Sequence, residues 1–204
     1  IFRLGEVYLN YAEAKAELGT LTQADLDASV NILRDRVSMP HLDLAAANAN
    51  PDAYMESCYP NVDKGANKGV ILEIRRERMV ETPLEGLHFW DIMRWREGKA
   101  FTRPLLGMYF PRPGKYDLTG DGKANVLLNA PGQSASGGIG VTKLTIGTDV
   151  ILTGETSGNM QAFSELSFTF DEGKDYLYPI PTNERTLTNG TLAQNPGWKD
   201  GLNF

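Results

Sequence analysis

Glu73, Glu77, Glu81, Glu85 and Asp91 fall within one short stretch, and a pair of acids is what a glycosidase needs to protonate a leaving oxygen and to attack or activate water. The same stretch carries Arg76, Arg78 and Arg94, three or four residues from an acid, so that on helices these charges can pair with one another. Spacing along a helix does not give the separation of two carboxylates in space. The pattern favours ion pairs that hold neighbouring helices in register, with Trp90 and Trp95 adding apolar area. A second candidate is Asp117-Leu-Thr-Gly-Asp-Gly-Lys-Ala-Asn125. It sets Asp117, Thr119, Asp121, Lys123 and Asn125 along an EF-hand-like loop, with Gly122 for the turn. Leu128 stands where the loop's bidentate acid belongs, so a calcium site and a metal-free Asp-Gly turn are both open readings, and no other cofactor is expected. His41 and His88, the only histidines, lack zinc-site spacing. Gly132-Gln-Ser-Ala-Ser136 falls short of a nucleophile elbow, and neither a dinucleotide fingerprint nor a phosphate loop is present. No catalytic residue is assigned.

The bulk properties narrow the classes further. The chain has 204 residues, 20 basic against 26 acidic, a net charge of -6, and its positive charges are scattered. Nucleic acid is excluded as a partner, since phosphate binding leaves a basic footprint. One cysteine, Cys58, rules out a disulfide within the chain and a multi-cysteine metal site. No apolar run approaches the roughly 20 residues that span a bilayer. Ile1 to Asn10 reads as helix from its first residue, with no capping Ser, Thr, Asp or Asn before it. That implies a start inside a longer polypeptide, with any export signal or lipid-bearing cysteine upstream.

Helical spacing runs from Ile1 to Leu18 and stops at Gly19; a start signal at Thr22 opens a second helix through Val37. The two predict a helical hairpin of tetratricopeptide (TPR) type. Residues 41–69 predict a loop with a short helix after Pro51, Lys68 to Glu81 a third long helix, and Leu84 to Glu97 a fourth. From about 103 to 165 Gly and Pro accumulate, which predicts a loop-rich insertion within a single body over 1–204. It contains a small β-hairpin, Val141–Ile146 with Asp149–Thr153, and Leu166–Phe170 predicts a further short strand. The fold class expected is mainly α, a helical scaffold with TPR-like helix pairs, long loops and a small β-hairpin.

Ile74-Arg-Arg-Glu-Arg-Met-Val-Glu-Thr-Pro-Leu-Glu-Gly-Leu-His-Phe-Trp-Asp-Ile-Met-Arg-Trp95 is similar to the Glu-Arg-Arg, Glu-Gly and Phe-x-Asp-x-x-Arg-Trp pattern of SusD/RagB proteins. Tyr176-Leu-Tyr-Pro-Ile-Pro-Thr-Asn-Glu184 followed by Gln194-Asn-Pro-Gly-Trp198 resembles the ending of that family. Arg3–Ala14 and Leu33–Pro40 also match in order. The chain departs at Thr82-Pro83, which shortens a helix, and at Leu87-His88, where one local ion pair is lost. The aromatic residues of the tail read as anchors, Trp198 included.

The resemblance implies a SusD-like carboxyl-terminal region of a non-catalytic outer-membrane lipoprotein. Such a protein binds an oligosaccharide or other nutrient on the extracellular face of the bacterial outer membrane. It delivers that ligand to a SusC-like TonB-dependent transporter. A glycoside hydrolase and a structural or adhesive surface module are the rivals. If the scaffold is shared, recognition comes from the variable loops. Sugar contacts there are expected from the aromatic faces of Tyr54, Tyr59, Tyr109, Phe110 and Tyr116, with Asn61, Asp63 and Arg112 for hydroxyls.

Overall fold

The computed structural model describes residues 3–62 and 65–199. Chain contacts define two compact units: residues up to Ala100 together with those from Phe170 on, and Phe101–Thr169. Helix makes up 38% against 13% strand, so the chain is mainly α. The strands all lie in the second unit.

In the first unit, α1 (Leu4–Glu17) buries Leu9, Ala12, Glu13 and Ala16. It ends in a left-handed turn at Gly19, whose N–H reaches Ala16 O (3.0 Å) while Thr20 N–H reaches Lys15 O (3.0 Å). The single helix expected after Thr22 is instead two, α2 (Gln23–Asp27) and α3 (Val30–Arg36). Side chains compete for the backbone at the break. Ser29 Oγ donates to Asp25 O (2.5 Å), and Asn31 bonds both Asp27 and the N–H and C=O of Leu42. The loop expected over 41–69 holds α4 (Leu44–Ala49) and α5 (Ala53–Cys58), capped by Asp43 and Asp52. The central helix α6 (Lys68–Glu81) packs on α1, α4 and α5 and buries Val70, Ile71, Leu72 and Ile74. Thr82 Oγ1 donates to Arg78 O (2.8 Å) at its end, left-handed Leu84 and Gly86 turn the chain, and α7 (Leu87–Trp95) follows. No helix among the described residues is long and apolar enough to cross a membrane.

After α8 (Thr182–Leu187) the tail folds on its own segment. Gln194 bonds the N–H (2.7 Å) and C=O (2.9 Å) of Ile180, Asn195 Nδ2 donates to Tyr178 O (2.6 Å), and Trp198 Nε1 donates to Leu177 O (2.8 Å). Trp198 thus anchors the tail to itself, with Lys174 over its ring at 4.2 Å.

In the second unit, β1 (Leu105–Phe110) pairs antiparallel with β5 (Gly158–Ala162), with an irregularity between Leu106 and Tyr109. Strand β2 (Gly114–Tyr116) pairs antiparallel with β3 (Val126–Asn129), and β3 pairs parallel with β4 (Thr142–Thr145). The expected 141–153 hairpin does not form. Asp149 accepts from Thr145 N–H (2.7 Å), the chain turns tightly there, and β4 takes β3 as its partner. Leu166–Phe170 is not a strand either. The core of this unit is Phe110, Leu128, Ile146, Val150 and Leu152, with Tyr116, Leu144 and Met160 packed around it.

Candidate binding site

The carboxylates of the α6–α7 stretch each meet an arginine: Glu73 with Arg76 (3.2 Å), Glu77 with Arg34, Glu81 with Arg36 (2.6 Å), Glu85 with Arg3 (2.9 Å) and Asp91 with Arg78 (2.5 Å). Arg78 also donates to Asn10 (2.6 Å), which ties α1, α6 and α7 together. Arg94 grips Glu13 and Asp91, and Trp95 Nε1 donates to Glu13 (2.6 Å). Burial would raise the Glu13 carboxyl, but the Arg94 and Trp95 hydrogen bonds outweigh it and hold the group below its ordinary value.

This lattice fixes the end of α7, where Arg96 adopts a left-handed backbone, φ 57°. Asn61, from the loop after α5, donates from Nδ2 to Arg96 O (2.6 Å) and from its N–H to Glu97 (3.2 Å). Glu97 is 1% exposed and paired with Arg75 (2.9 Å); burial pushes its carboxyl up, against the pull of the Asn61 N–H and Arg75. Two neighbouring cavities open here and share Asn61, Trp95 and Arg96. One, about 310 Å³, reaches Glu13, Glu17 and Arg75; the other, about 360 Å³, reaches Glu172 and Tyr176. Arg75 and Arg94 lie over the Trp95 ring at 4.4 and 4.9 Å, and Arg96 covers the Tyr176 ring at 5.1 Å. Tyr176 OH accepts from Gly98 N–H (2.8 Å) and donates to Glu172 (3.2 Å). The result is a polar groove with an amide, a guanidinium and a carboxylate at its rim and an aromatic ring under the exposed Arg96.

A family model described as the SusD family matches residues 1–198. The chain belongs to the SusD family. No curated protein and no solved structure matches it. SusD-family proteins bind glycans and other nutrients in outer-membrane uptake, and membership makes this chain a binding protein of that class. In SusD terms, the Glu-Arg-Arg and Phe-x-Asp-x-x-Arg-Trp residues are the lattice just described, and they present Trp95 and Arg96 to the groove.

Of the residues expected to meet a ligand, Asn61 lines both cavities. Tyr54 is exposed on α5. Tyr59 is 2% exposed, edge-on to Trp95 at 5.6 Å with its hydroxyl donated to Met79 Sδ, so its ring is core beneath the groove. Asp63 lies outside the described residues. In the second unit Tyr109 is exposed on β1, whereas Phe110 is 3% exposed and Tyr116 packs edge-on against it at 5.0 Å. Arg112 is exposed, and its carbonyl accepts from the Tyr116 hydroxyl. The groove residues Trp95, Arg96, Glu172 and Tyr176 were not anticipated as contacts. The signal available was an Arg-Trp-Arg run closing α7, which pattern alone reads as packing.

The turn between β2 and β3 closes on its own hydrogen bonds. Asp117 accepts from the N–H groups of Thr119 (3.0 Å), Gly120 (2.7 Å) and Gly122 (2.7 Å), and Asp121 accepts from Lys123 N–H (2.9 Å). Asn125 accepts from Leu118 N–H and donates to Thr119 Oγ1, both at 3.0 Å. Desolvation by the surrounding turn would raise the Asp117 carboxyl, but these N–H donors hold it low. Leu128, at the position of the missing acid, is 1% exposed in the core, and no group of three His, Cys, Asp or Glu side chains placed to hold a metal occurs among the described residues.

Proposed function

We propose that the groove of Asn61, Trp95, Arg96, Glu172 and Tyr176 captures an uncharged oligosaccharide and releases it unaltered to a SusC-like TonB-dependent transporter. In this reading the whole protein is held by a lipid on the outer face of the outer membrane, and α1 with α2 and α3 forms a TPR-like unit of the scaffold. The observation that carries it is the groove itself. Amide, guanidinium and carboxylate groups converge on cavities of about 310 and 360 Å³, the donor and acceptor set that sugar hydroxyls need, beside aromatic walls. Arg96 and Glu172 offset one another in charge, which favours an uncharged ligand. The non-catalytic part is supported by two of the acids near the groove. Glu13 is held ionised by Arg94 and Trp95, and Glu97, whose carboxyl is raised, is sealed from the groove, so neither suits a general acid at a glycosidic oxygen.

Calorimetric titration with a panel of uncharged oligosaccharides tests this. Arg96→Ala and Tyr176→Ala are expected to weaken binding by about tenfold each, on the scale of one lost charged hydrogen bond or ring contact, with no product seen by chromatography. Unchanged affinity in both variants removes the groove from the proposal, and turnover replaces it with the hydrolase. Calcium at the Asp117 turn is a separate expectation. Heat and a raised thermal midpoint on titration support it, and a flat response ends it.

A further inference from the structure

The second unit has a cavity of its own, about 160 Å³, at the end of the β1–β5 pair where Leu105 faces Ala162. Phe163 and Phe168 line it, 60% and 47% exposed. Phe163 has φ 55°, a left-handed backbone that a bulky side chain rarely adopts. Its turn is closed by Leu166 N–H donating to Phe163 O (2.9 Å). Burial does not explain that backbone, because the ring stands mostly in solvent. Residues in such sparsely populated conformations cluster at ligand and active sites. Ser164, Ser167 and Gln161 also line the cavity. Gln161 Nε2 is used on Leu152 O (2.9 Å), while its Oε1 and both serine hydroxyls have no partner among the described residues.

We infer that this cavity is a second carbohydrate subsite, separate from the groove, that takes a single pyranose ring. Its volume suits one ring. The CH face of the sugar lies on Phe163 and Phe168, and its hydroxyls bond Ser164, Ser167 and Gln161 Oε1. Ser164 and Ser167 are exposed and Gln161 is half-buried, so their polar groups are open to a ligand's hydroxyls, which a purely apolar occupant does not match. The choice of a sugar rests on the family reading, whereas the location rests on the cavity alone.

The probes are the methyl glycosides of glucose, galactose, mannose and xylose, followed by saturation-transfer NMR and titration against the full chain. Phe163→Gly removes the ring and suits the left-handed backbone, so its thermal midpoint should not fall. Binding of at least one glycoside should nevertheless weaken by about fivefold, the scale of one aromatic contact. Phe168→Ala should do the same, and Arg96→Ala should leave this binding unchanged. A glycoside response lost only in Arg96→Ala overturns the subsite and keeps the groove. A response lost only in the phenylalanine variants upholds the subsite whatever becomes of the groove. No response from any glycoside overturns the subsite, and oligosaccharide titration then judges the groove by itself.

Discussion

Glu13 stays charged inside the helical unit because three N–H donors converge on it, two from Arg94 and one from Trp95. Its folded carboxyl lies below the ordinary value of 4.5. The unfolded chain therefore binds the proton more readily, and the stabilisation is full above that value and is lost as pH falls through it toward the folded value. Glu97 has the opposite sign: its folded carboxyl is raised, so its contribution is present at acid pH and fades as pH rises through the folded value. Glu13→Gln should cost about 2 kcal/mol at neutral pH, the scale of hydrogen bonds to a charged group, and should flatten the acid limb of the stability curve. Urea unfolding from neutral pH to about pH 3 checks this. Curves for the variant and parent that run parallel would remove Glu13 as the source.

Helix α6 reaches α4 because Gly69 has no side chain: a Cβ there would meet Ala47 O at 1.9 Å, backbone that cannot step aside. Gly69→Ala should therefore destabilise by about 2 kcal/mol, typical of overpacking, despite the better helix propensity of alanine; thermal melts read it, and an unchanged or raised midpoint contradicts the close packing. The same position shows what pattern can and cannot disclose. The Lys68–Glu81 helix was legible from its own residues, since charge pairs and apolar spacing are local, and so was the stop at Gly19. The break between α2 and α3 was not, because Asn31 answers to Leu42, which the chain brings back from eleven residues away. Alternation marked β4 as a strand but not its partner, since period-two patterning is blind to whether a neighbour is antiparallel and adjacent or parallel and distant. Asn61 was legible in the site as a polar residue in a loop. Arg96 and Tyr176 were not, because the segment from Phe170 meets the end of α7 only through tertiary packing.

At the scale of the molecule, the all-β unit Phe101–Thr169 interrupts the helical unit, which resumes at Phe170. The two ends of the interruption lie side by side within the helical unit. Gly98 N–H donates to Tyr176 OH (2.8 Å), Lys99 Nζ to Phe170 O (3.4 Å), and a Cβ on Gly98 would meet the Phe170 ring at 2.0 Å. Exit and entry this close mean that a short link can replace the insertion with little cost in closure entropy, which changes only slowly with loop length. The hydrophobic core on α1 and α6 and the arginine–carboxylate lattice both lie outside the excised residues. Replacing Phe101–Thr169 by a Gly/Ser link of about four residues should leave a chain with one cooperative thermal transition and a helical circular dichroism signal. It should retain oligosaccharide binding at the Arg96 groove and lose the response to single methyl glycosides. A product that melts without a transition, or that keeps the monosaccharide response, would mean that the helical unit depends on the insertion or that the second sugar site lies elsewhere.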